Sequence, residues 1–132
     1  MIGENNPFNI RYNARNQWLG QTKPCRGFCS FSSMAYGIRA AIMLIMRSYR
    51  KKNLVTVSEI INRYAPSTEN NTEAYINYVC HRLDIFPFDV MCKESDYCEL
   101  LAVMSEFEGN PVPSYKIKQV MSDFNISLIR KL

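Results

Sequence analysis

The sequence predicts a mainly α single domain, residues 1–132, of about five helices with a small irregular or β-hairpin region at the N-terminus. Apolar residues recur at helical spacing after residue 33. Capping residues and Pro or Gly stops divide that part of the chain into helix-sized pieces. Residues 1–33 instead carry turn formers and aromatic residues without a helical period. A chain of 132 residues is long enough to bury a core as one domain.

The N-terminal part and the first helix follow from local patterns. Short extended pieces are expected at 9–12 and 28–31, where they can form a hairpin. Ser32 or Ser33 can cap a helix that runs from about Met34 to Lys51. Its middle is apolar nearly all round, which is typical of a central core helix.

The remaining four helices are delimited by caps and breakers. Thr56 and Glu59 form a capping box, and Ala65-Pro66 ends the helix that it opens. Pro87 marks a further break, and Gly109 ends the fourth helix. The other expected boundaries are Asn71 or Thr72 as the cap of the third helix, Ser95 as the cap of the fourth, and Ser114 to Ile129 as the last helix, which can break near Asn125.

Composition limits the partners. The net charge of +4 is mild and favours anionic partners such as cell-wall polymers or nucleic acid, without selecting between them. No basic run exceeds Arg50-Lys51-Lys52, so we expect no nucleic-acid partner. The most apolar segment, 40–46, is far shorter than the ~20 residues that cross a bilayer, so we expect no membrane partner either. The oligomeric state stays open.

The N-terminus has neither a positively charged start nor an apolar run, so no signal peptide is predicted. We expect synthesis in the cytoplasm, and action at the cell wall only from a virion or after release. Five cysteines are an odd number, which favours folding in a reducing compartment. Their spacing is not that of a zinc site, and cysteines that fill the core are favoured. No metal and no cofactor are predicted.

Glu108 is the most informative residue. Leu100, Leu101, Val103, Met104 and Phe107 form one apolar stripe at helical spacing, and Glu108 falls inside that arc. A carboxyl group at the edge of a core loses hydration, which raises its pKa and lets it hold a proton near neutrality. Such a group suits general acid catalysis, above all in glycoside hydrolysis. The alternative is that Glu108 bends out to water in the last helical turn.

A long and unusually spaced set of residues runs through the first part of the chain. Its members are Asn5-Asn6-Pro7, Asn9-Ile10-Arg11, Trp18, Gly20, Phe28, Phe31, Tyr36 to Ala40, Tyr49, Ala65-Pro66-Ser67, Glu69 to Thr72 and Ala74-Tyr75. With this set, residues 5–79 resemble a family of small phage and prophage proteins that are often labelled virion structural proteins. The family usually has glycine where this chain has Phe8, and it has no settled activity.

The N-terminal part of this set comprises Asn5 to Arg11, Trp18, Gly20, Phe28 and Phe31, and Ser33 follows it. These residues also resemble a segment of the flagellar-type glucosaminidases in the lysozyme-like superfamily. In that superfamily the segment follows a helix that ends in a catalytic glutamate. Here the fitting helix end is at Glu108-Gly109. The resemblance therefore implies a circularly permuted lysozyme-like domain in which Glu108 is the general acid. Permutation costs little where chain termini lie close together at the surface.

These resemblances imply an enzyme of phage or prophage origin that cleaves peptidoglycan glycan strands, as a muramidase, glucosaminidase or lytic transglycosylase. Glu69 is the predicted base or electrostatic stabiliser, although it can equally complement the dipole of the following helix. A hydrolase of the two-carboxylate kind needs a second carboxylate within about 5–10 Å. The predicted sugar-binding residues, each of which also has a structural interpretation, are Asn5, Asn9, Trp18, Tyr36 and Tyr75.

Two other functions are compatible with the same sequence features. A noncatalytic virion structural or cell-wall-binding protein needs no catalytic geometry. A cysteine peptidase or amidase needs Cys25 or Cys29 beside His81, the one histidine.

Overall fold

A computed structural model describes residues 1–68 and 71–128, and within them the chain is mainly α, as predicted. The described residues form one two-stranded sheet and five helices, of which the first is continuous from α1 through a π-helical segment into α2. Their buried apolar side chains make up one core cluster, which includes residues of each helical segment and of the sheet. The elements are β1 (Gln21–Cys25), β2 (Phe28–Phe31), α1 (Met34–Ile42), a π-helical segment (Met43–Ser48), α2 (Tyr49–Lys51), α3 (Val57–Tyr64), α4 (Thr72–Leu83), α5 (Glu94–Phe107) and α6 (Ser114–Asp123).

The hairpin differs in part from the prediction. Strand β2 has the expected bounds, but its partner is β1, which pairs with it antiparallel. Of the expected strand 9–12, Arg11 forms a single bridge to Phe28. The reason is local: Arg26 and Gly27 have φ of 50° and 82° and turn β1 directly onto β2. Asn9, with φ 53°, interrupts an extended chain.

The long first helix is confirmed over its predicted length and is central to the core. Ser33 caps it by accepting a hydrogen bond from the N–H of Tyr36. Within this helix, Met43–Ser48 is π-helical, so that the N–H of Tyr49 donates to the carbonyl of Leu44, five residues earlier. At Gly37 the helix touches the N-terminal turn, because a Cβ there would lie 1.8 Å from the carbonyl oxygen of Asn5.

The later helix boundaries follow the predicted caps, with two corrections. Thr56 and Glu59 form the capping box of α3, and Asn71 caps α4. Helix α5 begins at Glu94, so the expected cap at Ser95 is wrong. The carboxylate of Asp96 accepts the N–H groups of Cys92 and Lys93, at 2.8 and 2.9 Å, and thereby sets the helix start before Ser95.

The last helix is also shorter than predicted. It ends at Asp123, and Asn125 with φ 55° breaks it where the sequence indicated. The predicted end at Ile129 lies outside the described residues. In the part of the chain that the structure describes, no helix is both long and apolar enough to span a bilayer.

Helix α5 carries Glu108 at its end, and Ser105 fixes that end. Ser105 is fully buried. Its hydroxyl donates to the carbonyl of Ala102 at 2.6 Å and accepts the N–H of Val112 at 2.7 Å. The chain after Gly109 is thus tied back onto the helix, which holds the last turn in place.

Candidate functional site

A cleft of about 770 Å³ lies where the N-terminal loop 9–16, the end of the long first helix and the end of α3 meet. It is the size of a site for a small ligand or a short polymer segment. The main side chains that face it are Asn9, Arg11, Tyr12, Asn13, Arg15, Asn16, Phe28, Tyr49, Lys52, Arg63, Tyr64 and Glu108.

Glu108 is the C-terminal cap of α5, and its side chain lines this cleft. Its N–H donates to the carbonyl of Met104 at 3.0 Å, and Gly109 with φ 86° ends the helix. Since the side chain is half-buried, loss of hydration raises the pKa of the Glu108 carboxyl above its ordinary value. The carboxyl therefore retains its proton to higher pH than a carboxyl in water.

Three groups oppose that rise by favouring the ionised form. The amide Nδ2 of Asn9 donates to Oε1 of Glu108 at 3.0 Å and to its backbone oxygen at 3.3 Å. The hydroxyl of Tyr75 and the charge of Arg11 act in the same direction, so all three lower the pKa of Glu108 while burial, the larger effect, raises it. The Oδ1 atom of Asn9 is buried and has no hydrogen-bond partner among the described residues.

Glu108 acts on two tyrosines: Tyr64 is half-buried and lines the cleft, whereas Tyr75 is buried and does not line it. Tyr64 donates its hydroxyl to the carbonyl of Phe8, which ties α3 to the N-terminal turn. Tyr75 stacks on Phe107 with ring centroids 4.1 Å apart. Burial and the neighbouring Glu108 carboxylate hold the pKa of both phenols well above the ordinary value. Both rings therefore stay neutral and present hydroxyls rather than phenolates.

The structure brings some of the predicted residues together and leaves others apart. Asn9 lines the cleft and donates to Glu108, and Tyr75 lowers the pKa of Glu108 without lining the cleft. Asn5, Trp18 and Tyr36 do not line the cleft either. Asn5 donates to the carbonyl of Phe31 at 2.9 Å. Trp18 packs partly buried on the core, and Tyr36 lies against Phe124 with ring centroids 5.6 Å apart. These contacts fit the structural interpretation of Asn5, Trp18 and Tyr36.

The predicted second acid, Glu69, lies outside the described residues, and its role stays a prediction. Pro66, three residues earlier, lines the cleft. Among the described residues that line it, Glu108 is the sole carboxylate.

The cysteine-peptidase alternative gains no support. Cys29 is 1% exposed, and burial raises the pKa of its thiol, which disfavours the reactive thiolate. His81 is an exposed residue of α4. All five cysteines are free, and the described residues hold no group of three His, Cys, Asp or Glu side chains placed for a metal.

Sequence reasoning missed the basic residues of the cleft. Arg15, Lys52 and Arg63 come from three separate segments. Lys52 belongs to the basic run 50–52, but no local pattern predicts that the three residues line one cleft. Arg11 was noted only as part of a motif, yet it lies over the ring of Phe28 at 4.9 Å from its centroid and acts on Glu108.

Comparison with known proteins identifies a relative from a phage. Over 126 residues the chain is 32% identical to protein P5 of Pseudoalteromonas phage PM2, and the aligned region covers 89% of this chain and 77% of that protein. No family model matches the chain.

Proposed function

The chain belongs to the family of protein P5 of Pseudoalteromonas phage PM2, and on that premise we propose that it is a phage-encoded enzyme that cleaves peptidoglycan glycan strands. Glu108 is the general acid. The observation that carries the proposal is its carboxyl group, placed at the end of a helix, half-buried in a cleft of about 770 Å³, with a raised pKa.

The reaction begins with proton transfer from Glu108 to the oxygen that bridges two sugars. The bond between that oxygen and the anomeric carbon then breaks, and positive charge develops on the sugar. A proton held near ambient pH is the requirement for this step, and a positioned acid contributes about 10²–10⁴-fold. Burial raises the pKa of Glu108 in the direction that this step requires, while Asn9, Tyr75 and Arg11 act against it.

The described lining residues favour a lytic transglycosylase over a two-carboxylate hydrolase. Glu108 is the sole carboxylate among them, whereas a hydrolase places a second one within about 5–10 Å. In the transglycosylase course, the acetamido group of the sugar assists departure of the bridging oxygen. The sugar's C6 hydroxyl then attacks the anomeric carbon and returns its proton to Glu108. The product is a 1,6-anhydro sugar, and no water is consumed.

A second candidate is a noncatalytic virion structural or cell-wall-binding protein. One observation favours it: the contact between Asn9 and Glu108 is also a structural tie. Asn110, next to this helix end, donates to the carbonyl of Pro7 at 3.1 Å and to that of Glu108 at 3.3 Å. The polar groups around residue 108 therefore also fasten the N-terminal turn to α5 without any chemistry.

The experiment compares Glu108→Gln with wild type on purified peptidoglycan. The matched control is Glu106→Gln, because Glu106 lies on the same helix and pairs with Arg82 at 2.7 Å, outside the cleft. We expect wild type and Glu106→Gln to release soluble fragments with 1,6-anhydro ends, and Glu108→Gln to lose about 10²-fold or more of the rate.

Equal turnover by Glu108→Gln would remove Glu108 as the acid. Absence of turnover in all three proteins would favour the noncatalytic candidate. Reducing ends in place of anhydro ends would replace the transglycosylase by a hydrolase and point to a second carboxylate.

A further inference from the structure

Three basic residues, Arg15, Lys52 and Arg63, belong to the lining of the cleft beside Glu108, and together we call them its basic side. All three are exposed. They come from the N-terminal loop, the residue after α2 and the last turn of α3. Three chain segments thus contribute positive charge to the lining of one cleft.

The structure records no ion pair for Arg15, Lys52 or Arg63 with the residues that it describes. Two arginines outside the cleft differ in this respect: Arg82 pairs with Glu106 at 2.7 Å, and Arg47 donates to the carbonyl of Ser127 at 3.0 Å. Like charges gathered in a concave site raise the local concentration of anions. The basic side is therefore available to an anionic ligand.

We infer that the basic side formed by Arg15, Lys52 and Arg63 binds the carboxylates of peptide stems attached to the glycan, so that the protein acts on stem-bearing rather than neutral strands. This rests on the proposed function, and names the substrate class that the same cleft selects. The sugars of the strand are neutral, and its charge lies on the stems. Guanidinium groups bind carboxylates in a bidentate manner, while an ammonium acts as a point charge.

The composition of the cleft favours a decorated glycan over a nucleic acid. A phosphodiester chain would carry one negative charge per nucleotide along the whole cleft, including the position beside Glu108. A stem-bearing glycan places a neutral sugar at Glu108 and its carboxylates to the side. The amides of Asn13 and Asn16 and the ring of Tyr12, which also line the cleft, suit sugar hydroxyls and a sugar face.

The test measures binding separately from cleavage, with Glu108→Gln protein as the non-cleaving background. Three probes are titrated: soluble stem-bearing glycan strands, the same strands with their carboxylates converted to methylamides, and chitohexaose. Arg63→Gln and Lys52→Gln are added singly and together. Lys23→Gln, exposed on β1 and outside the cleft, removes the same charge elsewhere and is the matched control.

We expect each cleft substitution to weaken binding of the stem-bearing strands by about tenfold, the effect of ~1.4 kcal/mol. Lys23→Gln should change it little. Methylamidation should lower the affinity to that of chitohexaose, and added salt should weaken only the stem-bearing complex.

Equal affinity for all three probes would overturn the inference, and so would tighter binding of a single-stranded oligodeoxynucleotide of matched length. Failure of this inference and failure of the proposed function are distinguishable. If wild type cleaves peptidoglycan while the cleft substitutions leave binding unchanged, the basic side is not a stem site and Glu108 keeps its role. If stem-dependent binding is found but Glu108→Gln and wild type do not differ in turnover, the basic side binds peptide stems and Glu108 is not the general acid.

Discussion

Asn9 and Glu108 are 99 residues apart in the chain, and their side chains are joined by a hydrogen bond of 3.0 Å. The same amide nitrogen also donates to the backbone oxygen of Glu108 at 3.3 Å. The second bond fixes the orientation of the Asn9 amide, because a flipped amide would place its Oδ1 against the backbone oxygen of Glu108. Asn9 therefore always offers a donor, which favours the ionised carboxylate.

Replacing Asn9 by Asp should raise the pKa of Glu108. Asp keeps the size of Asn and tolerates the positive φ of 53°, but it offers no donor and adds negative charge. The pKa is followed by the carboxyl carbon shift of Glu108 in NMR titrations. We expect the activity profile on peptidoglycan to extend to higher pH. An unchanged or lowered pKa would show that Asn9 does not set the ionisation of Glu108.

Tyr75 and Tyr64 should behave differently when their hydroxyls are removed. Tyr75→Phe should raise the pKa of Glu108, because the Tyr75 hydroxyl favours the ionised form. Tyr64→Phe removes a hydrogen bond to the carbonyl of Phe8 and should cost about 0.5–1.5 kcal/mol of unfolding free energy. It should leave the pKa of Glu108 nearly unchanged. Equal effects on that pKa would contradict the assignment of Tyr75 as the tuning hydroxyl.

Helix positions were predictable from the sequence because caps and apolar spacing act locally. The period that placed Glu108 inside an apolar arc correctly indicated a half-buried carboxyl, and Thr56 with Glu59 correctly opened α3. The cap at Ser95 was wrong because Asp96 reaches back to two preceding N–H groups. The sequence contains both Ser95 and Asp96 as residues that could set the start of α5, and only the backbone geometry decides which of them does so.

The surroundings of Glu108 were only partly predictable. Asn9 was singled out by a motif, but its bond to residue 108 depends on how the N-terminal turn packs on α5. Trp18 and Tyr36 are aromatic residues of the same motif, and the fold uses them for packing. Lys52 and Arg63 converge only through tertiary structure, because each lies at the end of a different helix.

Gly37→Ala should disturb the site from a distance. A Cβ at this position would lie 1.8 Å from the carbonyl oxygen of Asn5, so the N-terminal turn that carries Asn9 must shift. We expect a loss of about 1–3 kcal/mol of unfolding free energy in urea, together with a change in the pKa of Glu108. The control is Gly27→Ala, whose Cβ meets no atom within 4 Å at φ 82°.

Gly27→Ala should cost about 1 kcal/mol, as a left-handed position does on gaining a side chain, without changing the ionisation of Glu108. A destabilised Gly37→Ala protein with an unaltered Glu108 pKa would show that the turn and the acid are not coupled.

Glu108 and Glu106 should give opposite pH dependences of stability. Burial raises the pKa of Glu108 in the folded state. The contribution of Glu108 to the free energy of unfolding is therefore fully present below its unfolded-state pKa and is lost as pH rises through its folded-state pKa. The hydrogen bond from Arg82, followed by that from Tyr78, lowers the pKa of Glu106, so its contribution is present above the unfolded pKa and is lost as pH falls through the folded one.

Urea unfolding across the acid to neutral range checks both signs. Relative to wild type, Glu108→Gln should become more stable as pH rises, since the variant avoids ionising a half-buried group. Glu106→Gln should instead become less stable relative to wild type over the same range, because wild type gains the contribution of its ionised Glu106. If the stability difference between Glu108→Gln and wild type does not vary with pH, residue 108 titrates as a hydrated carboxyl, and the acid proposed for glycan cleavage lacks its proton at working pH.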